Sequence, residues 1–236
     1  MFFIGDQTLL RGSRKVTYIL LSLMVLSFLA TYRVTGGPGN AFSLGGVIPQ
    51  QWFAPENFPQ HVPAWLSLIW ALFLHANFGH IFWNALFFWF TARNLEARMG
   101  SLGFFFFYLA CGAAGFATHV LFNTESSAPV IGASGAISGM LGAYGVWFHN
   151  HMFQLKFRFL GKSHDFRAPI LALVILWIAS QVLVGIPEMI AKLSPVAVLA
   201  HLGGFVCGSL IAYAQKQKPS SRHRFKTVQG GRSWND

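Results

Sequence analysis

Ser134 sits between glycines in GASGAISG at residues 132–139, and His201 sits in AHLGG at residues 200–204, each at the start of a strongly apolar run. A third apolar segment carries His80 and, four residues on, Asn84. Polar or ionisable side chains held in hydrocarbon are expensive, so they read as a functional site. A serine hydroxyl is a weak nucleophile at neutral pH and needs a base within hydrogen-bond reach, which a neutral imidazole supplies. Acyl transfer to serine develops negative charge on oxygen. Backbone N–H groups at a helix start, an asparagine amide and a histidine can all donate to it. These residue types point to a serine hydrolase working below a membrane surface.

Such a site needs a membrane-spanning frame, and the composition provides one. Of 236 residues, 54% are hydrophobic, 16% aromatic and only 10% charged, more apolar surface than one soluble core of this size uses. Runs near Val16 to Val34, Leu102 to Phe122, Ala168 to Ile186 and Pro195 to Ala214 are long enough to cross hydrocarbon about 30 Å thick. Two shorter runs, Ile81 to Ala92 and Ala133 to Phe148, are extended by Gly, Ser, His or Asn that a bundle interior accepts, giving six expected spans. The runs lack apolar/polar alternation, so strands are not expected. The fold class is all-α, a polytopic six-span bundle: residues 1–15 form a cytoplasmic segment, 16–214 the membrane domain and 215–236 a basic cytoplasmic tail. The ends read as short and disordered.

A net charge of +10 in a soluble protein would suggest nucleic acid, but here the cations follow topology. With a cytoplasmic N-terminus, all 17 Lys and Arg except Arg33 and Lys192 fall on the cytoplasmic side, which places both termini there. The tail then reads as an anchor for anionic membrane lipids, with no nucleic-acid partner. A bacterial plasma membrane fits this compact, inside-positive chain.

Topology also brings the polar residues to one depth. Spans two, four and six all begin on the outer face. Ser134 lies in the first turn of span four, and His201 comes six residues after Pro195, roughly 9 Å deep by helical rise. His80 and Asn84 project from one side of span two. Gly132 and Gly135 clear space where a substrate backbone must come close, while Gly139, Gly142, Gly204 and Gly208 let spans four and six approach until Ser134 and His201 touch. Glu56, Glu125 and Glu188 fall in outer loops, so a Ser-His dyad is the leaner reading than an acid-oriented triad. A metal at His75 and His80 is not expected, because five residues apart on a helix they diverge by about 140° and no carboxylate shares their depth. Cys111 and Cys207 read as small buried residues rather than a disulfide.

Around this frame, the Pro-rich loop from Gly36 to Pro63 reads as an outer cap, and Ala64 to Phe78 as an interfacial helix carrying Trp65 and Trp70. The FFFF run at 104–107 reads as lipid-facing, Asn150 to Arg167 as a basic loop, and Glu96 and Arg98 as a structural pair or polar anchors.

HANFGHIFWN (75–84), EARMG (96–100), GASG (132–135) and AHLGGFVCG (200–208), in this order, resemble the rhomboid intramembrane serine proteases from about Leu72 to Ala214. The resemblance implies Ser134 as nucleophile, His201 as general base and acid, and His80 and Asn84 as oxyanion donors, with His75 supporting the outer end of span two. It implies cleavage of transmembrane protein substrates near the outer membrane face, with no metal or cofactor. Trp177 in span five would border the substrate path, and the loop from Ile186 to Ser194 would cover the serine. Two positions depart from the family pattern. Where many members carry an aromatic residue four positions after the nucleophile, this chain has Ser138, expected to bond His201 or a water. The first outer loop lacks the arginine some members use, so its cap must be held differently. The competing readings are a non-catalytic rhomboid-like protein that binds transmembrane clients and, more distantly, a small-solute channel or transporter.

Overall fold

The structure is a computed structural model that describes residues 3–6, 12–35, 42, 45–159, 162–190 and 198–216. Its elements are β1 (Phe3–Asp6), α1 (Lys15–Thr35), α2 (Ala64–Trp70), α3 (Phe78–Met99), α4 (Ser101–Phe122), α5 (Ser134–Phe148), β2 (Met152–Phe159), β3 (Lys162–Pro169), α6 (Ile170–Ser180), α7 (Ile186–Ile190) and α8 (Val198–Lys216). An apolar helix falls on each of the six apolar runs, and the helices pack into an all-α membrane bundle. By length and apolarity α1, α4 and α8 can each cross a bilayer, and α2 with α3 makes a fourth candidate, bent by 85°.

The bundle is organised around α5. Every residue from Gly135 to Tyr144 is buried, so this helix has no face left for lipid. Its glycines explain how a fully enclosed helix fits. A Cβ on Gly204 would overlap the carbonyl oxygen of Gly135, and one on Gly208 would overlap that of Gly139. The α5 and α8 backbones therefore touch, as small residues at three- and four-residue spacing allow. Apolar side chains fill the remaining space, with Phe88, Phe104 and Tyr108 packed ring against ring.

At the far end of α3 from His80, Glu96 is fully buried and does not pair with Arg98. Its carboxylate accepts hydrogen bonds from the backbone N–H groups of Val16 (3.1 Å) and Thr17 (2.8 Å), and from the hydroxyls of Thr17 (2.7 Å) and Ser101 (2.6 Å). It caps the start of α1, where unpaired N–H groups and the helix dipole favour a negative charge. Gly100, at φ 77°, makes the turn into α4, a backbone conformation glycine adopts without strain. Arg98 instead lies over the Trp147 ring, 4.5 Å from its centroid.

Three expectations change. The basic loop after α5 is an antiparallel hairpin, β2 with β3, and the N-terminal segment adds β1 to it, with Phe3 opposite Lys156. The signal was the alternation of Gln154, Leu155, Lys156, Phe157, Arg158 and Phe159, which lies outside the long apolar runs. The FFFF run is not simply lipid-facing: Phe104 and Phe107 are buried and only Phe106 is strongly exposed. Ala64 to Phe78 is not one helix, because α2 ends at Trp70, a 3-10 turn follows to Phe73, and α3 starts anew at Phe78. The outer cap, described from Gly45, is held by backbone bonds rather than by arginine: Val47 and Val130 exchange two N–H···O bonds of 2.9 Å, and Gln50 N–H donates to the Ser126 carbonyl at 3.0 Å. The tail beyond Lys216 lies outside the described residues.

Replacing Glu96 with alanine strands two backbone N–H groups and two hydroxyls at once. We expect it to destabilise the protein by about 2–4 kcal/mol, read as a lowered thermal unfolding midpoint in detergent, with Glu96→Gln losing less.

Candidate active site

Ser134 is the first residue of α5, and His201 lies in the first turn of α8. With the two backbones in glycine contact, Ser134 Oγ and His201 Nε2 are 2.8 Å apart, a direct hydrogen bond. On its other side, His201 Nδ1 is 2.8 Å from Oε1 of Gln181, at the end of α6. The ring is also flanked by Trp177, with centroids 6.4 Å apart, and Trp177 itself stacks on Phe205.

His80 and Asn84 face the same space from α3. Asn77 caps this helix, its side-chain oxygen accepting from His80 N–H at 2.8 Å, which puts His80 in the first turn. The backbone N–H of Ala76 donates to His80 Nδ1 at 3.3 Å, so this nitrogen is the acceptor. The neutral ring must then carry its proton on Nε2. That nitrogen points at Gly132, where a Cβ would come within 2.7 Å of it. Gly132 also has φ 111°, so two independent reasons require glycine there. Asn84 is buried, and one of its two amide protons goes to the His80 carbonyl at 3.0 Å, leaving the second for the cavity it lines. The first-turn N–H groups of α5 have no partner within their own helix.

A cavity of about 670 Å³ joins these groups, lined by His80, Asn84, Ser134, Ser138 and His201 and walled by Trp83, Phe87, Ile131, Ile137, Leu141 and Trp177. Polar hydrogen-bonding groups thus sit at one spot on an otherwise apolar surface. Such an arrangement can activate a serine, stabilise an oxyanion beside it and hold an extended peptide segment against apolar walls.

Three of the site expectations are refined. Ser138 does not bond His201; its hydroxyl donates to the Ser134 carbonyl at 2.7 Å. Gly135 faces Ala200 and Gly115, so it serves helix packing rather than substrate approach. His75 and His80 do not diverge, because His75 precedes the helix: their rings meet edge-on with centroids 5.1 Å apart, and no third His, Cys, Asp or Glu joins them among the described residues. His75 is buried under the site with Nδ1 3.2 Å from the Phe73 carbonyl. The expected loop cover reaches beyond Ile190 into residues outside the described set. Gln181 is not among the residues expected from the sequence, where the partner considered for His201 is an acid, although an amide inside the run ILALVILWIASQVLVG is itself a signal.

The rhomboid domain profile matches residues 63–218, the segment that holds every one of these side chains. The chain belongs to the rhomboid family. Among curated rhomboids it is 33% identical over 132 residues to rhomboid protease GluP of Bacillus subtilis (strain 168), a match covering 56% of this chain and 24% of GluP. YdcA of the same strain is 31% identical over 163 residues, covering 67% of this chain and 71% of YdcA. RHOMBOID-like protein 1 of Arabidopsis thaliana is 32% identical over 155 residues, which make up 64% of this chain and 36% of that protein. The rhomboid chain thus spans a minor part of GluP and of the plant protein, and most of YdcA.

Gly204→Val would drive a side chain into the Gly135 carbonyl and part α5 from α8. A displacement of about 1 Å between reacting groups costs on the order of 100-fold in rate. We expect fluorophosphonate labelling of Ser134 to slow by that factor.

Proposed function

We propose that this rhomboid is a serine endopeptidase that cleaves transmembrane protein substrates within the membrane. The observation that carries the reading is the 2.8 Å contact between Ser134 Oγ and His201 Nε2 beside a cavity that His80 and Asn84 also line. The protease name of GluP agrees with it.

The chemistry runs in two halves. Ser134 Oγ attacks the carbonyl carbon of the scissile peptide bond while its proton passes to His201 Nε2. The carbonyl oxygen becomes an oxyanion, stabilised by His80 Nε2–H, the second Asn84 amide proton and the N–H groups at the start of α5. Collapse expels the amine, which takes the proton from His201, and leaves an acyl ester on Ser134. Water, deprotonated by His201, then attacks the ester, releases the acid and restores the hydroxyl. No step calls on a metal or cofactor.

Gly132 is assigned to keep the oxyanion space open, His75 to back His80 from below, and Ser138 to hold the first turn of α5 while leaving the cavity deep. The distribution of basic residues supports a non-cytoplasmic position for the Ser134 end, with both termini and the basic tail against the cytoplasmic leaflet. Cleavage would then fall near the outer membrane face.

The test is reconstitution of purified protein in liposomes with a single-span substrate. Ser134→Ala and His201→Ala should each abolish cleavage, and His80→Ala or Asn84→Ala should lower kcat by about 100- to 1,000-fold. Cleavage that survives both Ser134→Ala and His201→Ala would overturn the reading.

A further inference from the structure

We propose that Gln181 is the positioning residue for His201, holding the imidazole in the tautomer that can accept the Ser134 proton. This rests on the protease reading and adds a third member to the site where the sequence offers no acid.

The hydrogen bonds define their own directions. Ser180 Oγ lies 2.6 Å from the Trp177 carbonyl, which can only accept, so the hydroxyl proton points there. Ser180 Oγ must then accept from Gln181 Nε2, 3.1 Å away. With its nitrogen committed to Ser180, the Gln181 amide presents oxygen to His201, and Oε1 lies 2.8 Å from Nδ1. An oxygen acceptor at Nδ1 requires the proton on that nitrogen. Nε2 is left with its lone pair directed at the Ser134 hydroxyl 2.8 Å away. The chain runs without a conflict from Ser134 through His201, Gln181 and Ser180 to the Trp177 backbone, so each donor has one acceptor.

The backbone is shaped for this contact. Gln181 opens a π turn, Gln181–Gly185, in which the Ile186 N–H bonds the Gln181 carbonyl. Such widened turns recur at functional sites because they redirect side chains. Gly185 in the same turn lies against the start of α8: a Cβ there would come within 2.7 Å of Val198 Cγ2 and 3.8 Å of Gln181 Oε1. Any larger residue would force Val198 or the π turn itself to shift. The amide differs from the carboxylate of a triad in carrying no charge. It fixes the ring's orientation and tautomer without an ion inside the bilayer, where a carboxylate is far more expensive to hold.

The full chain, reconstituted as above, gives two readouts: kcat and KM on the single-span substrate, and the rate of fluorophosphonate labelling at Ser134. Gln181→Leu keeps the shape and removes the acceptor. Its kcat and labelling rate should both fall roughly 10- to 100-fold, the range seen for orienting partners elsewhere, with KM within about twofold of wild type. Gln181→Glu restores an acceptor oxygen and should recover most of the rate. Ser180→Ala frees the amide to turn over and should give a smaller loss. If Gln181→Leu does not insert and fold, Gln181→Met makes the same deletion of the acceptor. Wild-type kcat and labelling in a folded acceptor-free variant would overturn the assignment, as would a change in KM alone or equal losses in the Leu and Glu variants. Wild-type protein that labels at Ser134 while these variants do so equally well defeats Gln181 alone; wild-type protein that neither cleaves nor labels defeats the protease reading and this inference with it.

Discussion

Backbone contact between α5 and α8 is the constraint from which the remainder follows. Two helices with ordinary side chains at their interface stay 8–10 Å apart. Here the glycines at 135, 139, 204 and 208 remove the side chains that would enforce that spacing, and carbonyl oxygens of one helix rest on Cα positions of the other. Only at that separation can a short serine side chain meet a histidine across the interface. The same closeness removes α5 from lipid altogether, so the other helices must be arranged as its shell.

His80, Asn84 and Ser138 are each oriented by the backbone of the helix that carries them or of a neighbouring turn. Ala76 selects the His80 tautomer, the His80 carbonyl anchors Asn84, and the Ser134 carbonyl anchors Ser138. Hydrogen bonds in a low-dielectric interior are stronger than exposed ones, so they hold side chains in one arrangement more firmly than they would at a surface. Asn77 and Gly132 are part of this system although neither bears a reactive group: one starts the helix in the right register and the other clears the space in front of His80.

Much of this was legible in the sequence because membrane helices obey few rules. Apolar runs mark the helices, and Ser134, His201, His80 and Asn84 stand out as polar residues within or beside those runs. Rhomboid motifs then coincided with those residues. The features that escape such a reading do so for separate reasons. The pairing of His75 with His80 depends on α3 beginning at Phe78, which helical-wheel reasoning carried through Asn77 could not anticipate. The β2–β3 hairpin has its alternating signal in QLKFRF, which is short and lies between the long apolar stretches. The Glu96 contact joins residues some 80 positions apart, and nothing local announces it.

That buried carboxylate divides the bundle into unlike ends. Sixteen residues of helix, about 24 Å by helical rise, separate Glu96 from His80. At the Glu96 end, one ion grips the starts of α1 and α4 through four short bonds. At the His80 end the helices enclose a cavity, and α6 has only Ile170 and Val174 among its buried residues. Regions with few buried apolar contacts open at lower free energy than tightly bonded ones. The molecule is therefore built like tongs riveted at the base: the jaws can part while the joint keeps their tips in register.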